Sequence, residues 1–310
     1  MHCNNKTLVI GGMGFIGKSL VQLLEQKGEE VIITSQYHTP KNKSNVYNIN
    51  YDFDSFKQIL DRYKFKDVYF LSGNPYPQHS ENNFILDFRL SNIPLFSLLE
   101  AMRILKYKGN FWFASSVAVY GSTNKDIQSE TDTCFPLSNY GVSKLNAEEY
   151  IKYFSRVHHI NCGALRIFST YGGGLKRQLI YDVYRKIKLN DEEITLLGTG
   201  KESRDLSYVD DQAEKIVLIA QNIIPNGDIY NIGSGNLYTV NEVVTHIKNI
   251  LKSKVNIKYN TNTRKFDGIR WVADINKLQE LGVCKDISLF DGLSKTIVDF
   301  DKDNKSDIYE

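Results

Sequence analysis

The chain passes from an apolar run, Leu8-Val9-Ile10, through Gly11-Gly12-Met13-Gly14-Phe15-Ile16-Gly17 and straight into a segment with helical periodicity. Few features narrow the available folds as sharply. A strand that turns into a helix over regularly spaced glycines opens a βαβ unit, and each glycine answers a separate steric demand. Gly11 permits a tight turn. Gly14 lets a pyrophosphate approach the backbone without meeting a Cβ, and Gly17 lets the helix lie close on the strand. Phe15 and Ile16 join the glycines in supplying amides at the positive end of the new helix, where an anion is favoured.

Short apolar runs then recur at Val31–Thr34, Val46–Ile49, Val68–Leu71, Asn110–Ala114 and Cys162–Phe168, with helical patterns at Phe15–Lys27, Asn83–Lys106 and Tyr140–His158. In the first helix Phe15, Ile16, Leu20, Leu23 and Leu24 form one stripe. Strands alternating with helices predict an α/β fold, a Rossmann-type doubly wound parallel sheet over residues 1–170, with ligand at the carboxyl ends of the strands. The remainder is less regular. Ile194–Leu197, Ile229–Ile232 and Val255–Tyr259 read as short strands, and Asp211–Asn222, Asn241–Leu251 and Ile287–Phe300 as helices. Residues 205–235 are expected to return to the dinucleotide-binding domain. Residues 171–204 and 236–310 are expected to form a smaller mixed α/β substrate lobe, ending in a frayed, charged tail.

Composition excludes other classes. Of 310 residues 42% are apolar and 24% charged, the balance of a globular chain rather than a disordered one. A net charge of +2 gives no electrostatic reason to expect DNA or RNA. No run approaches the ~18 apolar residues of a membrane span, and no signal peptide is expected, because Met1–Lys6 run straight into Leu8-Val9-Ile10, too short an apolar stretch for one. Cys3, Cys134, Cys162 and Cys284 have neither metal-ligand nor redox spacing, so no metal site and a reduced, cytoplasmic setting are expected.

The second strand bears on the cofactor. A carboxylate near its end would bind the 2′-hydroxyl of NAD, but Val31-Ile32-Ile33-Thr34-Ser35-Gln36-Tyr37-His38 carries none. A 2′-phosphate would meet no repulsion there, and Ser35, His38, Lys41 or Lys43 would contact it. The expectation is NADP over NAD, with NAD held through neutral groups as the alternative. Asp52 is placed to accept from an adenine amino group. Leu71, ending the Val68–Leu71 strand, would line the same crevice.

Tyr140 and Lys144 stand four residues apart, which on a helix brings the two side chains together. A nearby ammonium stabilises phenolate, so the tyrosine pKa is expected to fall towards neutrality. Tyr140 would then exchange a proton with a hydroxyl/carbonyl pair, while Lys144 would hold the nicotinamide ribose. Upstream, the buried run Phe111-Trp112-Phe113-Ala114 ends in Ser115-Ser116. Ser116 is placed to donate to a substrate oxygen beside Tyr140.

Taken in order, Gly11-x-x-Gly14-x-x-Gly17, Ser116 with Val119-Tyr120-Gly121, and Tyr140-x-x-x-Lys144 resemble the extended short-chain dehydrogenase/reductases, nearest their nucleotide-sugar epimerase/dehydratase branch. Leu165-Arg166-Ile167-Phe168-Ser169-Thr170-Tyr171-Gly172, the stretch Arg204-Asp205-Leu206-Ser207-Tyr208-Val209-Asp210-Asp211, Tyr230-Asn231-Ile232-Gly233 and Ala273-Asp274 continue the likeness to about residue 300. The resemblance implies a catalytic Ser116–Tyr140–Lys144 set, a bound nicotinamide cofactor and a nucleoside-diphosphate sugar as substrate. It further implies that Arg204 contacts the substrate diphosphate, with Ser169, Arg264 and, more weakly, Arg270 beside the substrate, and Gly173–Gln178 lining its pocket. An ion pair between Arg204 and Asp205 is the structural alternative. A homodimer through Asn92–Lys106 and Tyr140–His158 is implied as well.

Departures from the family pattern narrow the reaction. Val117 and Ala118 stand where the 4,6-dehydratases carry an Asp-Glu pair, and the acid of the decarboxylases is missing from the same stretch. Simple hydride chemistry at a sugar carbon, C4, remains. The missing acid after the second strand, and Ser169 in place of an Asn common in sugar epimerases, point to a 4-keto-sugar reductase. A 4-epimerase of the UDP-glucose 4-epimerase kind is the alternative, and a non-catalytic nucleotide-sensing module a remote third.

Overall fold

The structure is a computed structural model; it describes residues 6–36, 44–74, 81, 83–121, 125–260, 270–282 and 286–306, the side chains of 303–306 excepted. His38, Lys41, Lys43, Cys3, Cys284 and Arg264 lie outside the described residues.

In chain order the first half contains β1 (Lys6–Ile10), α1 (Phe15–Gln26), β2 (Glu30–Ser35), β3 (Val46–Asn48), α2 (Phe53–Tyr63), β4 (Asp67–Phe70), α3 (Phe84–Ile104), β5 (Asn110–Ser116), a 3₁₀ turn (Val117–Val119), β6 (Ile127–Gln128), α4 (Asn139–His158) and β7 (Cys162–Ile167). The second contains β8 (Ser169–Tyr171), α5 (Gln178–Leu189), β9 (Glu193–Leu196), β10 (Ser203–Tyr208), α6 (Val209–Asn222), β11 (Ile229–Ile232), β12 (Leu237–Thr239), α7 (Val240–Ile250), β13 (Asn256–Tyr259), β14 (Arg270–Ala273), α8 (Asn276–Glu280) and α9 (Leu289–Ser306).

Seven parallel strands form the main sheet in the order β3-β2-β1-β4-β5-β7-β11. Its strands read as near-continuous apolar runs because both faces are covered. Within β1, Leu8 and Ile10 enter one core with Phe56 and Leu60 of α2, Leu98 and Met102 of α3, and Ile151 of α4. Val9 points the other way, into a core built with Leu20 and Leu24 of α1 and Ile216 and Ala220 of α6. Each fully buried side chain of this kind contributes about 1.5–3 kcal/mol. The order reverses between β1 and β4, which opens a crevice at their carboxyl ends.

A second, smaller sheet runs β12-β10-β14-β6, with β8 also pairing β10. Helices α5, α7 and α9 pack beside it around Val183, Tyr184, Val244, Ile247, Leu293 and Phe300. Asp205, buried in β10, accepts from Ser234 N at 2.7 Å, Ser234 Oγ at 2.8 Å, Gly235 N at 2.9 Å and Ala273 N at 3.0 Å. That carboxylate ties three chain segments together, its oxygens taken up by these donors, so the alternative of an Arg204–Asp205 ion pair is not the one formed. Strands β6, β8, β12 and β14, each of two to four residues, are too short for periodicity to announce. Among the described residues no helix is long and apolar enough to cross a membrane.

Candidate active site

The glycine turn sits at the crevice. Gly11 has φ +83°, and a Cβ there would lie 2.9 Å from Ser72 N and 3.1 Å from the Leu71 carbonyl carbon, so the segment just after β4 borders the turn directly. A Cβ on Gly17 would stand 2.3 Å from the Gly11 oxygen and 2.7 Å from Gly12 Cα, contacts that backbone cannot relieve cheaply. Gly14 caps α1, makes no side-chain cap and is followed by no acid in the first turn. The leading amides of α1, those of Phe15 and Ile16 included, therefore have no capping side chain, while the Phe15 and Ile16 side chains pack towards the lobe core. Those are the demands of a diphosphate at a helix N-terminus, so the residues present fit a dinucleotide cofactor. Ser35 ends β2 on the same rim. Asp52 lies just past β3 and accepts from Ser55 N at 2.9 Å as the cap of α2, which holds its carboxyl below the ordinary range.

Ser138 caps α4 by accepting from Gly141 N at 3.0 Å, which sets Tyr140 and Lys144 on the first turns of the helix. Ser116, the last residue of β5, accepts from Ala118 N at 3.2 Å, and its hydroxyl stands near enough to the Tyr140 phenol to favour the phenolate. Lys144 is buried; its Nζ donates to the Ala114 carbonyl at 2.8 Å and lies 4.6 Å from the Phe113 ring centre and 5.6 Å from that of Tyr140. The three side chains thus converge at one point beyond the end of β5.

One expectation about them is overturned. Tyr140 is not drawn towards neutrality by Lys144. Burial pushes the phenol up to about 12, and Asp87 adds to the rise; Ser116 and Arg177 oppose it without prevailing. Burial also lowers Lys144 to about 8, against the pull of Asp87 and Glu148. Desolvation disfavours both charged forms, phenolate and ammonium alike.

Behind the pair stand polar residues that sequence reasoning missed. Asp87 of α3 is buried and accepts from Asn74 Nδ2 at 3.0 Å and from Ser143 Oγ at 2.6 Å. Asn92 Nδ2 donates to the Ser143 carbonyl at 3.1 Å. Further along α4, buried Glu148 accepts from Ser115 Oγ and from both ends of the Arg166 guanidinium, at 2.7 Å for Nη2 and 3.0 Å for Nε. Arg166 had been read only as part of a family stretch. Its pairing with Glu148 across eighteen residues carries no local signal.

On the lobe side, Ser169 opens β8 opposite Leu206 of β10. Arg204 donates to its neighbour Ser203 O at 2.9 Å, and its guanidinium lies 5.7 Å from the Trp271 ring centre. The Trp271 indole is fixed by donation to Gly121 O at 2.9 Å. Arg270 turns away instead, donating to Asp126 at 2.9 Å in an exposed pair. Arg177 caps α5, and its charge reaches the Tyr140 phenol.

Residues 7–233 match the NAD-dependent epimerase/dehydratase family. A putative UDP-glucose 4-epimerase of Methanocaldococcus jannaschii is 31% identical over 310 residues, which cover 96% of this chain and 98% of that protein. A dTDP-4-dehydro-6-deoxyglucose reductase of Escherichia coli is 26% identical, with 94% and 96% covered. Among solved structures, the UDP-glucose 4-epimerase of Thermotoga maritima with UDP-glucose superposes with a TM-score of 0.86 at 27% identity, covering 96% of this chain and 99% of that one.

Proposed function

The chain belongs to the NAD-dependent epimerase/dehydratase family of enzymes, and on that footing we propose that it reduces a keto group, at C4, on the sugar of a nucleoside-diphosphate sugar. The observation that carries this reading is the convergence of Ser116, Tyr140 and Lys144 beyond the end of β5, with Lys144 Nζ anchored on the Ala114 carbonyl 5.6 Å from the Tyr140 ring centre. Burial keeps the proton on Tyr140 at neutral pH, so the phenol is in the donor form that reduction of a ketone requires, and the transfer occurs as negative charge builds on the substrate oxygen. When bound, the nicotinamide cofactor supplies the hydride.

The residues divide the remaining work. Ser116 donates to the substrate oxygen and orients it. Tyr140 passes its proton to that oxygen as negative charge develops there. Lys144, charged below about pH 8, holds the cofactor ribose and stabilises the phenolate left behind. Gly11, Gly14, Phe15, Ile16 and Gly17 cradle the cofactor diphosphate, with Ser35, Asp52 and Leu71 along the adenosine side. Arg204, backed by Trp271, faces the substrate diphosphate, with Ser169 nearer the sugar. Val117 and Ala118, in the turn after Ser116, carry no group that exchanges protons, which argues against dehydration. The neutral end of β2 favours NADP.

Exposed Ile93, Tyr150, Tyr153 and Val157 on α3 and α4 offer a face for a homodimer, and the setting we infer is cytoplasmic.

A second reading, epimerisation at C4 with NAD retained, draws support from the 31%-identical relative named as a putative UDP-glucose 4-epimerase. One experiment separates them: purify the protein, identify any nucleotide that comes with it, then add NADPH and a 4-keto nucleotide sugar. Net, stoichiometric NADPH oxidation supports reduction. Tightly held NAD, with C4 epimers interconverting and no net cofactor consumption, overturns it in favour of epimerisation.

A further inference from the structure

Asp87 takes no part in the chemistry set out above, yet its position is a costly one for a carboxylate. It is fully buried, in the first turn of α3. An acid there is tolerated only where other groups meet its charge and its lone pairs. Asn74 Nδ2 and Ser143 Oγ donate to its two oxygens, at 3.0 and 2.6 Å. Ser143 immediately precedes Lys144, and its carbonyl is held in turn by Asn92. Asn74 N donates to Ser91 Oγ at 3.2 Å, and a Cβ placed on the adjoining Gly73 would lie 3.7 Å from Lys144 Nζ. The loop after β4, one side of α3 and the start of α4 therefore meet around this carboxylate, next to the lysine.

We infer that Asp87 is a positioning residue for Lys144: through Ser143 and Asn74 it fixes the start of α4, and it sets a buried negative charge next to the lysine. The inference rests on the reading that Tyr140 and Lys144 are the working pair.

Among the described residues, the groups that set the charge on Lys144 can be named. From α3 comes Asp87; from α4, Glu148 and the Tyr140 ring; from β5, the Ala114 carbonyl and the Phe113 ring. The charge of Glu148 is met by Arg166 of β7. Of the two acids that support the ammonium against burial, Asp87 does so more strongly than Glu148. It also raises Tyr140, so loss of its charge lowers both groups together.

The test reads Lys144 directly in the cofactor-free protein, by following lysine Cε resonances with pH after ¹³C-lysine labelling. The Lys144 signal is identified as the one missing from Lys144→Met. Asp87→Asn is expected to move its midpoint down by about one pH unit, the scale of a removed nearby charge. The swapped pair Asn74→Asp with Asp87→Asn returns a carboxylate to the same place and is expected to restore the midpoint. In turnover, the alkaline limb should follow the same shifts. An unmoved midpoint in Asp87→Asn overturns the inference. Should that variant fail to fold, the swap decides: folding with a wild-type midpoint supports the inference, and a low midpoint or an unfolded swap overturns it. A shifted midpoint in a protein with no turnover on nucleotide sugars would keep Asp87 in this role and remove the catalytic reading. Turnover with an unmoved limb would do the reverse.

Discussion

Gly17→Ala tests the cofactor cradle through a single methyl group. The added Cβ would lie 2.3 Å from the Gly11 oxygen, whereas ordinary contact begins at 3.4 Å, so the start of α1 must withdraw from the turn by about 1.1 Å. Both opposing atoms, Gly11 O and Gly12 Cα, are backbone, and the turn is itself pinned by Gly11 N donating to Thr34 O at 3.2 Å and Gly14 N to Gly11 O at 2.9 Å. Overpacking of this kind costs about 1–3 kcal/mol. The displaced amides are those proposed to bind the diphosphate. If a similar amount is lost from binding, cofactor affinity falls by roughly 5- to 150-fold, at 1.4 kcal/mol per tenfold. Titration of the dinucleotide by fluorescence, alongside a thermal melt, measures both effects. Gly28→Ala is the control: unlike Gly17 it has positive φ, +81°, but its Cβ would meet nothing within 4 Å, so it should lose stability without losing affinity. A Gly17→Ala protein that binds NADH and NADPH as tightly as the parent would refute the placement of the diphosphate on this turn.

Two further outcomes follow from the site. Tyr140→Phe should retain cofactor affinity in the same titration but lose turnover by at least ~100-fold, the scale of general acid catalysis; unchanged turnover would remove Tyr140 as the proton donor. Glu148→Ala leaves the Arg166 guanidinium buried without its carboxylate and should destabilise the fold by about 3–5 kcal/mol, a drop in melting temperature of roughly 5–8 °C; a melt within about 1.5 °C of the parent, about 1 kcal/mol, would show that the pair contributes little.

What could be read from sequence was local. The Leu8–Ile10 run, its glycine turn and the stripe of α1 declare themselves within twenty residues, and the spacing of Tyr140 and Lys144 fixes their meeting once α4 is a helix. What escaped was set at a distance or by burial. Asp87 lies in a helix that opens Phe84-Ile85-Leu86 and contains Pro94, where no clean polar stripe marks which acid turns inward. The Tyr140 phenol was judged by its charged neighbour alone, and desolvation, which a linear sequence does not display, proved the larger effect. Arg270 was weighed for an anionic ligand, but Asp126, one hundred and forty-four residues earlier, meets it first.

The order in which the main sheet is completed carries a consequence for synthesis. One of its edge strands, β11, starts about sixty residues after the end of β7, the strand it covers, and β8 and β10 of the second sheet come in between. Until residue 232 has left the ribosome, the flank of β7 from Cys162 to Ile167 offers open amides and carbonyls beside an apolar surface. Nascent chains paused in that interval are the ones most exposed to pairing with one another.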